Sequence, residues 1–556
     1  MSAQQPRDAD DPSVAAIRLL TDAVDRDRLD AAVTATLGAS DELGRPWQIA
    51  PLFADAVDPR LNSYWTVSGA VPTGQAYDTS RVAFDMAEAL SAELGALVEP
   101  DLPSSVYGLE PGEGPVPEAL GLGPGAHLPG SADPRWAVEA VRAPEAWRID
   151  PPSGGAAMGE GALVASIDTG YTDHPEMAGV WSFELDWDVI DNDDDARDPL
   201  RRRWFGLLDS PGHGTHTASV VASPQDEVIV GAAPRATVVP IRAIQSVVQV
   251  LDSNVARAVH EAHRRGCHVI TMSLGGRGFF GLRAAIQAAV DDGVIVMAAA
   301  GNVVGVVAAP ALYPECLAVA ATNVDDRPWS GSSRGREVDI AAPGESVWVA
   351  AVDSSGAVPQ FGTNRQHGTS YAVATLAGVA ALWLAHHGRD RIIDQVGRAN
   401  VQRAFTQLLL GPGHRVPANW DDRFGAGIAD AAALLSAPLP AATELAVPSP
   451  PSAFDTVARL RGVLADLDRD QVRLAVADLL GIPPDQVDRL PGAAVSELVY
   501  RIGEDDVLRA RLTGQVPLVP DVPQTGARQL LWRSASRALL RAATAEPLTP
   551  PPDNLR

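Results

Sequence analysis

The chain has 556 residues, 46% of them hydrophobic and 21% charged, which suits two to four domains with sizeable cores and excludes overall disorder. Its formal net charge is −26, and its basic residues are all arginine. So acidic a chain repels phosphate backbones and anionic lipids, so neither nucleic acid nor membrane is expected as a partner.

The first twenty residues lack a basic stretch followed by an apolar one, so no secretory signal is expected and a reducing cytoplasm is the expected compartment. Residues 1–46 read as one or two amphipathic helices, with Val14, Ile17, Leu20 and Val24 on a shared face. Within 47–102, a strand at 63–69, an amphipathic helix at 79–95 and a second strand at 96–102 predict a small α/β module. Residues 103–132, rich in Pro, Gly and acid, read as a linker. From 133 to 437 short apolar strands (162–168, 236–244, 268–274, 294–300) alternate with helices such as 254–266. Continuous Val, Ile and Ala strands are buried on both faces, which predicts an α/β fold with a parallel sheet and helices on both sides. Cys267 lies in one of these strands as a small hydrophobe, and with Cys316 as its only companion it cannot build a disulfide framework.

The stretch 368-GTSYAVATLAGVAALWLA-385 has about the minimum length for a membrane span. Its Gly, Thr, Ser and Ala content and the lack of flanking basic residues point instead to a buried core helix. A Pro-rich linker at 438–453 precedes about four amphipathic helices in 454–545, a C-terminal helical bundle. No fixed-period repeat occurs.

Three short motifs in the α/β region each carry one reactive group. The strand ending 167-IDTG-170 presents Asp168 where parallel sheets collect functional groups, though such a turn is often only structural. In 212-GHGTHTAS-219, glycines flank His213 and leave its imidazole unobstructed. His216 lies three residues on, which raises metal ligation, but the spacing and the intervening glutamate of a zinc helix are missing. Ser370 stands where a glycine-led turn enters the long helix, either as a helix cap or where helix N–H groups favour a developing oxyanion.

In chain order these are Asp168, His213 and Ser370, the order of subtilisin rather than of chymotrypsin or the α/β-hydrolases. Residues 133–437 resemble the subtilisin-like serine peptidases, the subtilases, through 168-DTG-170 with 174-HP-175, 213-HGTHTAS-219 and 368-GTSYA-372. The resemblance extends to 273-SLGG-276, 298-AAAGN-302, 310-PALYP-314, 341-AAPG-344 and 143-APEAW-147. It implies a subtilisin-like fold and a serine endopeptidase acting on protein or peptide substrates through Asp168, His213 and Ser370. Asn302 is then the oxyanion residue, and Ser273, Leu274, Gly275, Gly276, Ala300 and Gly301 form the substrate cleft. No cofactor is required; calcium is possible as a structural ion, although 191-DNDDDARD-198 lacks the glycine and glutamate of an EF-hand and reads better as a solvated loop. The module at 47–102 is similar to a subtilase propeptide, which makes the following linker a candidate for self-cleavage.

The sequence departs from the family around the serine. Tyr371 stands where Met is usual, Ala374 where Pro is usual, and His367 where the family has a small or apolar residue. His367 is expected to be a solvated bystander. The C-terminal bundle is expected to recruit a protein partner or to stabilise the chain. The competing reading is a catalytically silent subtilase-fold scaffold, or an interaction protein acting through that bundle.

Overall fold

A nine-stranded sheet organises the larger part of the chain. The computed structural model describes residues 14–22, 25–56, 58–72, 79–103, 133–200, 210–225, 227–247, 250–302, 306–356, 358–445, 456–514 and 526–543. Among them the chain forms two compact units. One comprises residues 104–250 and 254–452; the other comprises the chain up to Pro103, the three residues Leu251–Ser253, and everything from Ala453 onward.

In the larger unit the sheet order is 414–415, 428–429, 340–343, 317–322, 295–299, 269–272, 163–168, 237–242, 187–188. All neighbours run parallel except the first pair. The four strands predicted from apolar runs are all present and almost wholly buried, as a sheet covered on both faces requires. The chain adds 187–188 and 237–242 on one side of Leu163–Asp168 and then crosses to add 269–272 on the other. Strand order therefore reverses at Leu163–Asp168, and the carboxyl end of a strand at such a reversal is where open parallel sheets place their chemistry.

The apolar stretch forms the helix Thr369–His387, and all nineteen of its residues are buried. Among the described residues it is the one helix long and apolar enough to cross a membrane, and it is buried along its whole length inside the protein. Burial on every side explains why it lacks an amphipathic pattern. Trp383, fully buried, meets the Phe405 ring edge-on with centroids 5.4 Å apart. Cys267 and Cys316 are buried free thiols, and burial pushes the Cys267 thiol up to about 12.

The terminal unit corrects the reading of the N-terminus. Val14–Thr21 is a strand, not a helix, and helix begins only at Arg26–Leu37. That strand pairs antiparallel with Trp65–Pro72 on one side and Val98–Pro100 on the other, and Gln48–Pro51 completes a four-stranded sheet. The module thus begins at the strand Val14–Thr21 rather than at residue 47. The apolar run is short enough to satisfy helical and strand periods alike; Ile17 and Leu19 join the core on one face of the sheet, and Leu20, on the other face, is also buried. The helix Thr79–Leu94 covers this sheet with Phe84, Ala87, Leu90 and Leu94, which join Leu19, Val67 and Val98 in one core.

Among the described residues the C-terminal bundle has seven helical segments rather than about four: 456–463, 469–480, 484–487, 492–504, 506–513, 527–534 and 537–543. Leu460, Val476, Leu480, Leu498, Ile502 and Leu531 are among its buried core residues. Of the two predicted linkers, 103–132 beyond Pro103 and 438–453 beyond residue 445 lie outside the described residues.

Candidate active site

Asp168 is the last residue of its strand, and His213 is the first residue of the helix His213–Ala222. Both are buried, and His213 Nδ1 lies 2.8 and 3.0 Å from the two carboxylate oxygens of Asp168. A carboxylate only accepts, so the imidazole carries its proton on Nδ1 and directs Nε2 away from the pair. The Thr169 N–H and the Thr217 hydroxyl donate to the same carboxylate, at 2.7 and 3.3 Å. Glycine is needed on both sides of His213 for separate reasons. Gly212 sits at φ +81°, and a Cβ on Gly214 would lie 2.2 Å from the Gly170 carbonyl oxygen.

Ser370 is the second residue of the buried helix. It exchanges bonds with Ser273 at the exit of the strand Val269–Met272: the Ser273 hydroxyl donates to the Ser370 carbonyl at 3.1 Å, and the Ser370 hydroxyl donates to the Ser273 carbonyl at 3.4 Å. Asn302 is fixed through Thr369, whose N–H and hydroxyl both donate to Asn302 Oδ1, at 3.0 and 2.9 Å. With its oxygen so engaged, the amide of Asn302 offers its N–H groups elsewhere. The Gly301 N–H donates to Thr369 Oγ1 at 3.1 Å, so Thr369 ties the glycine–asparagine turn to the start of the serine helix. Tyr371, next to the serine, sets its ring 6.2 Å from that of His213, which draws the two clusters together.

The expected cleft residues occupy adjacent carboxyl ends of the sheet. Ser273, Leu274, Gly275 and Gly276 follow the strand Val269–Met272, and Ala300 and Gly301 follow its neighbour Ile295–Ala299. Gly276 pairs with Ala309, and Ala300 donates to the Val319 carbonyl at 3.0 Å.

Comparison with known proteins decides the family. The model of the Subtilase family matches residues 159–427. Thermitase of Thermoactinomyces vulgaris is 34% identical over 261 residues, covering 46% of this chain and 84% of thermitase. The chain belongs to the subtilase family. Subtilisin E of Bacillus subtilis (strain 168) is also 34% identical, over 186 residues that span 32% of this chain and 47% of subtilisin E. Fervidolysin from Fervidobacterium pennivorans, 21% identical, shares the fold with a TM-score of 0.51, covering 78% of this chain and 63% of the fervidolysin chain. Thermitase and the subtilisins are serine endopeptidases, and this subtilase is a hydrolase of that class.

Three residues of the subtilase site carry more than the sequence suggested. Asp198, in the acidic run read as a solvated loop, is buried; its carboxylate accepts from Thr169 Oγ1 at 2.8 Å and from the Gly212 N–H at 2.7 Å. It thereby braces the residues that follow Asp168 and precede His213, and burial raises its carboxyl above the usual range. Other carboxylates of that run are also engaged: Asp191 pairs with Arg242 at 2.7 Å, and Asp193 and Asp195 accept from backbone N–H groups. His367 corrects the expectation of a solvated bystander. It is buried, accepts from the Ser346 N–H at 3.2 Å, stacks on Trp329 with centroids 6.2 Å apart, and is driven below the usual histidine range by burial. His216, the rival metal ligand, accepts the Val352 N–H on Nε2 at 3.1 Å, and burial pushes it down to about 3. No cluster of three or more metal-ligating side chains occurs among the described residues. Thr369 is the third residue; its double role was legible only as a helix cap.

Proposed function

We propose that this subtilase cleaves peptide bonds by acyl transfer through Asp168, His213 and Ser370. The observation that carries this reading is the buried 2.8 Å contact between His213 Nδ1 and the Asp168 carboxylate, because it fixes the tautomer in which Nε2 acts as the base. Ser370 Oγ attacks the substrate carbonyl carbon while His213 Nε2 takes its proton. The imidazolium, stabilised by Asp168, returns that proton to the departing amine. Water then attacks the acyl-enzyme by the same route, and the serine regains its hydrogen. The negative oxygen of each tetrahedral intermediate is held by the Ser370 N–H and by the Asn302 amide, whose donors are oriented through Thr369. The peptide backbone lies along Ser273–Gly276 and Ala300–Gly301. This chemistry needs no cofactor; calcium would serve structure alone.

A fluorophosphonate probe tests the reading, because only an activated serine reacts with it covalently. The intact protein takes one label on Ser370, and Ser370→Ala takes none. An intact protein that resists the probe and leaves peptide libraries uncut is instead a silent scaffold.

The N-terminal α/β module is read as a propeptide, with 103–132 as the segment cut by the enzyme itself. Mass spectra of the purified protein then show a shortened catalytic fragment in the wild type and a full-length chain in Ser370→Ala.

A further inference from the structure

The terminal unit joins the two ends of the chain through buried charges. Glu99, in the strand Val98–Pro100, is buried, and its Oε1 accepts from Arg459 Nη2 at 2.6 Å and from the Ser496 hydroxyl. Arg459 also donates to Ser496 Oγ at 2.9 Å, which closes a three-residue network between residues almost four hundred positions apart in sequence. A second network lies over the helix Thr79–Leu94. Arg501, buried on the helix Gly492–Glu504, donates to Ser80 Oγ at 2.9 Å and pairs with Glu497 at 3.3 Å. Its guanidinium stands 5.7 Å from the Phe84 ring and 5.3 Å from the Tyr500 ring. Tyr500 in turn packs against the core of the N-terminal module, with its ring 5.5 Å from that of Phe84. One residue beyond Phe84, Asp85 of the same helix accepts the Arg537 N–H at 2.8 Å.

Buried charge is tolerated only when it is paired and hydrogen-bonded. Glu99 gains its partners from the C-terminal bundle, and Arg501 gains a hydroxyl and an aromatic face from the N-terminal module. Each segment therefore carries a buried ion whose surroundings the other completes. We infer that the C-terminal bundle is the intramolecular receptor for the N-terminal α/β module, so that the module stays bound as a non-covalent subunit once the chain is cut between residues 103 and 132. The partner of the bundle is the first hundred residues of its own chain, recognised by one acidic side chain at a strand edge and one aromatic ring on a helix face.

This inference depends on contacts inside the terminal unit and not on the peptidase reading, and the test keeps them apart. The full chain is prepared as Ser370→Ala with the recognition site of an exogenous, sequence-specific protease placed within 103–132. After cutting, size exclusion at micromolar concentration followed by intact mass analysis reads whether the N-terminal fragment travels with the rest. Co-elution is expected, with retention weakened at least about 30-fold in Arg459→Glu, since removing one partner of a buried pair strands the other. Tyr500→Ala removes packing without stranding a charge; it should weaken retention about tenfold while far-UV dichroism stays unchanged. It decides the matter if Arg459→Glu fails to fold. A fragment that separates from the unsubstituted cut chain overturns the inference, as does one retained equally in Tyr500→Ala and in a folded Arg459→Glu.

Discussion

The two units bury polar groups in opposite ways. Around Asp168 and His213 the partners come from one unit and lie no more than 49 positions apart: Thr169 and Thr217 donate to Asp168, and Asp198 accepts from Thr169 and from the Gly212 N–H. In the terminal unit the partners are side chains from opposite ends of the chain, Glu99 with Arg459 and Ser80 with Arg501. The first arrangement orients a reactive group and holds it within its own domain. The second makes two segments interdependent. A buried polar cluster closed by segments of one unit thus suits chemistry, and one closed by side chains from the two ends of the chain suits assembly.

Substitutions can break that contrast, and the largest effect is expected at the local cluster. His213→Ala should lower kcat by about 10⁶-fold, the scale known for subtilisin when a triad member is lost. Asn302→Ala, which removes the proposed oxyanion donor and leaves the proposed triad, should lower kcat by about 10²–10³-fold with little change in KM, again on the scale of subtilisin. A change confined to KM would place Asn302 in ground-state binding instead. In the terminal unit, Arg459→Ala should leave kcat on a short peptide within about twofold while lowering stability by roughly 3–5 kcal/mol, read from urea unfolding, because Glu99 is left buried and unpaired. Asp198→Ala tests whether bracing is local: loss of two buried acceptor contacts should cost about 1–3 kcal/mol and lower kcat without abolishing probe labelling.

A further effect is expected on the pH dependence of stability. His216 is pushed down to about 3 in the fold, while its ordinary value is 6.5. Between those values the unfolded chain binds the proton and the folded chain does not, so this contribution is present above pH 6.5 and is lost as the pH falls toward 3. The gap in urea midpoint between the wild type and His216→Gln should therefore narrow steadily below pH 6.5. A constant gap would show that His216 titrates alike in both states.

The same contrast governs how much was legible in the sequence. The places of Asp168, His213 and Ser370 at a strand end and two helix starts could be read because each sits in a short motif whose glycines are local. The parallel sheet could be read from continuous apolar strands. Four features escaped for reasons of distance or length. Val14–Thr21 is too short for periodicity to separate helix from strand, and only its pairing with Trp65–Pro72 and Val98–Pro100 settles it. The surroundings of His367, namely Trp329 and Ser346, come from other segments. Asp198 lies inside a run of exposed acids and is set apart from them only by the fold. Nothing in the sequence of 454–545 announces that Arg459 and Arg501 face residues 99 and 80.

The nucleophile candidate stands at the tip of a nineteen-residue helix enclosed along its whole length. Its backbone can shift only if the middle of the domain comes apart with it, so Ser370 behaves as a fixed point. Control over such a centre has to come from outside, from what reaches the serine. A switch that works by sliding the nucleophile would first have to melt the domain that holds it.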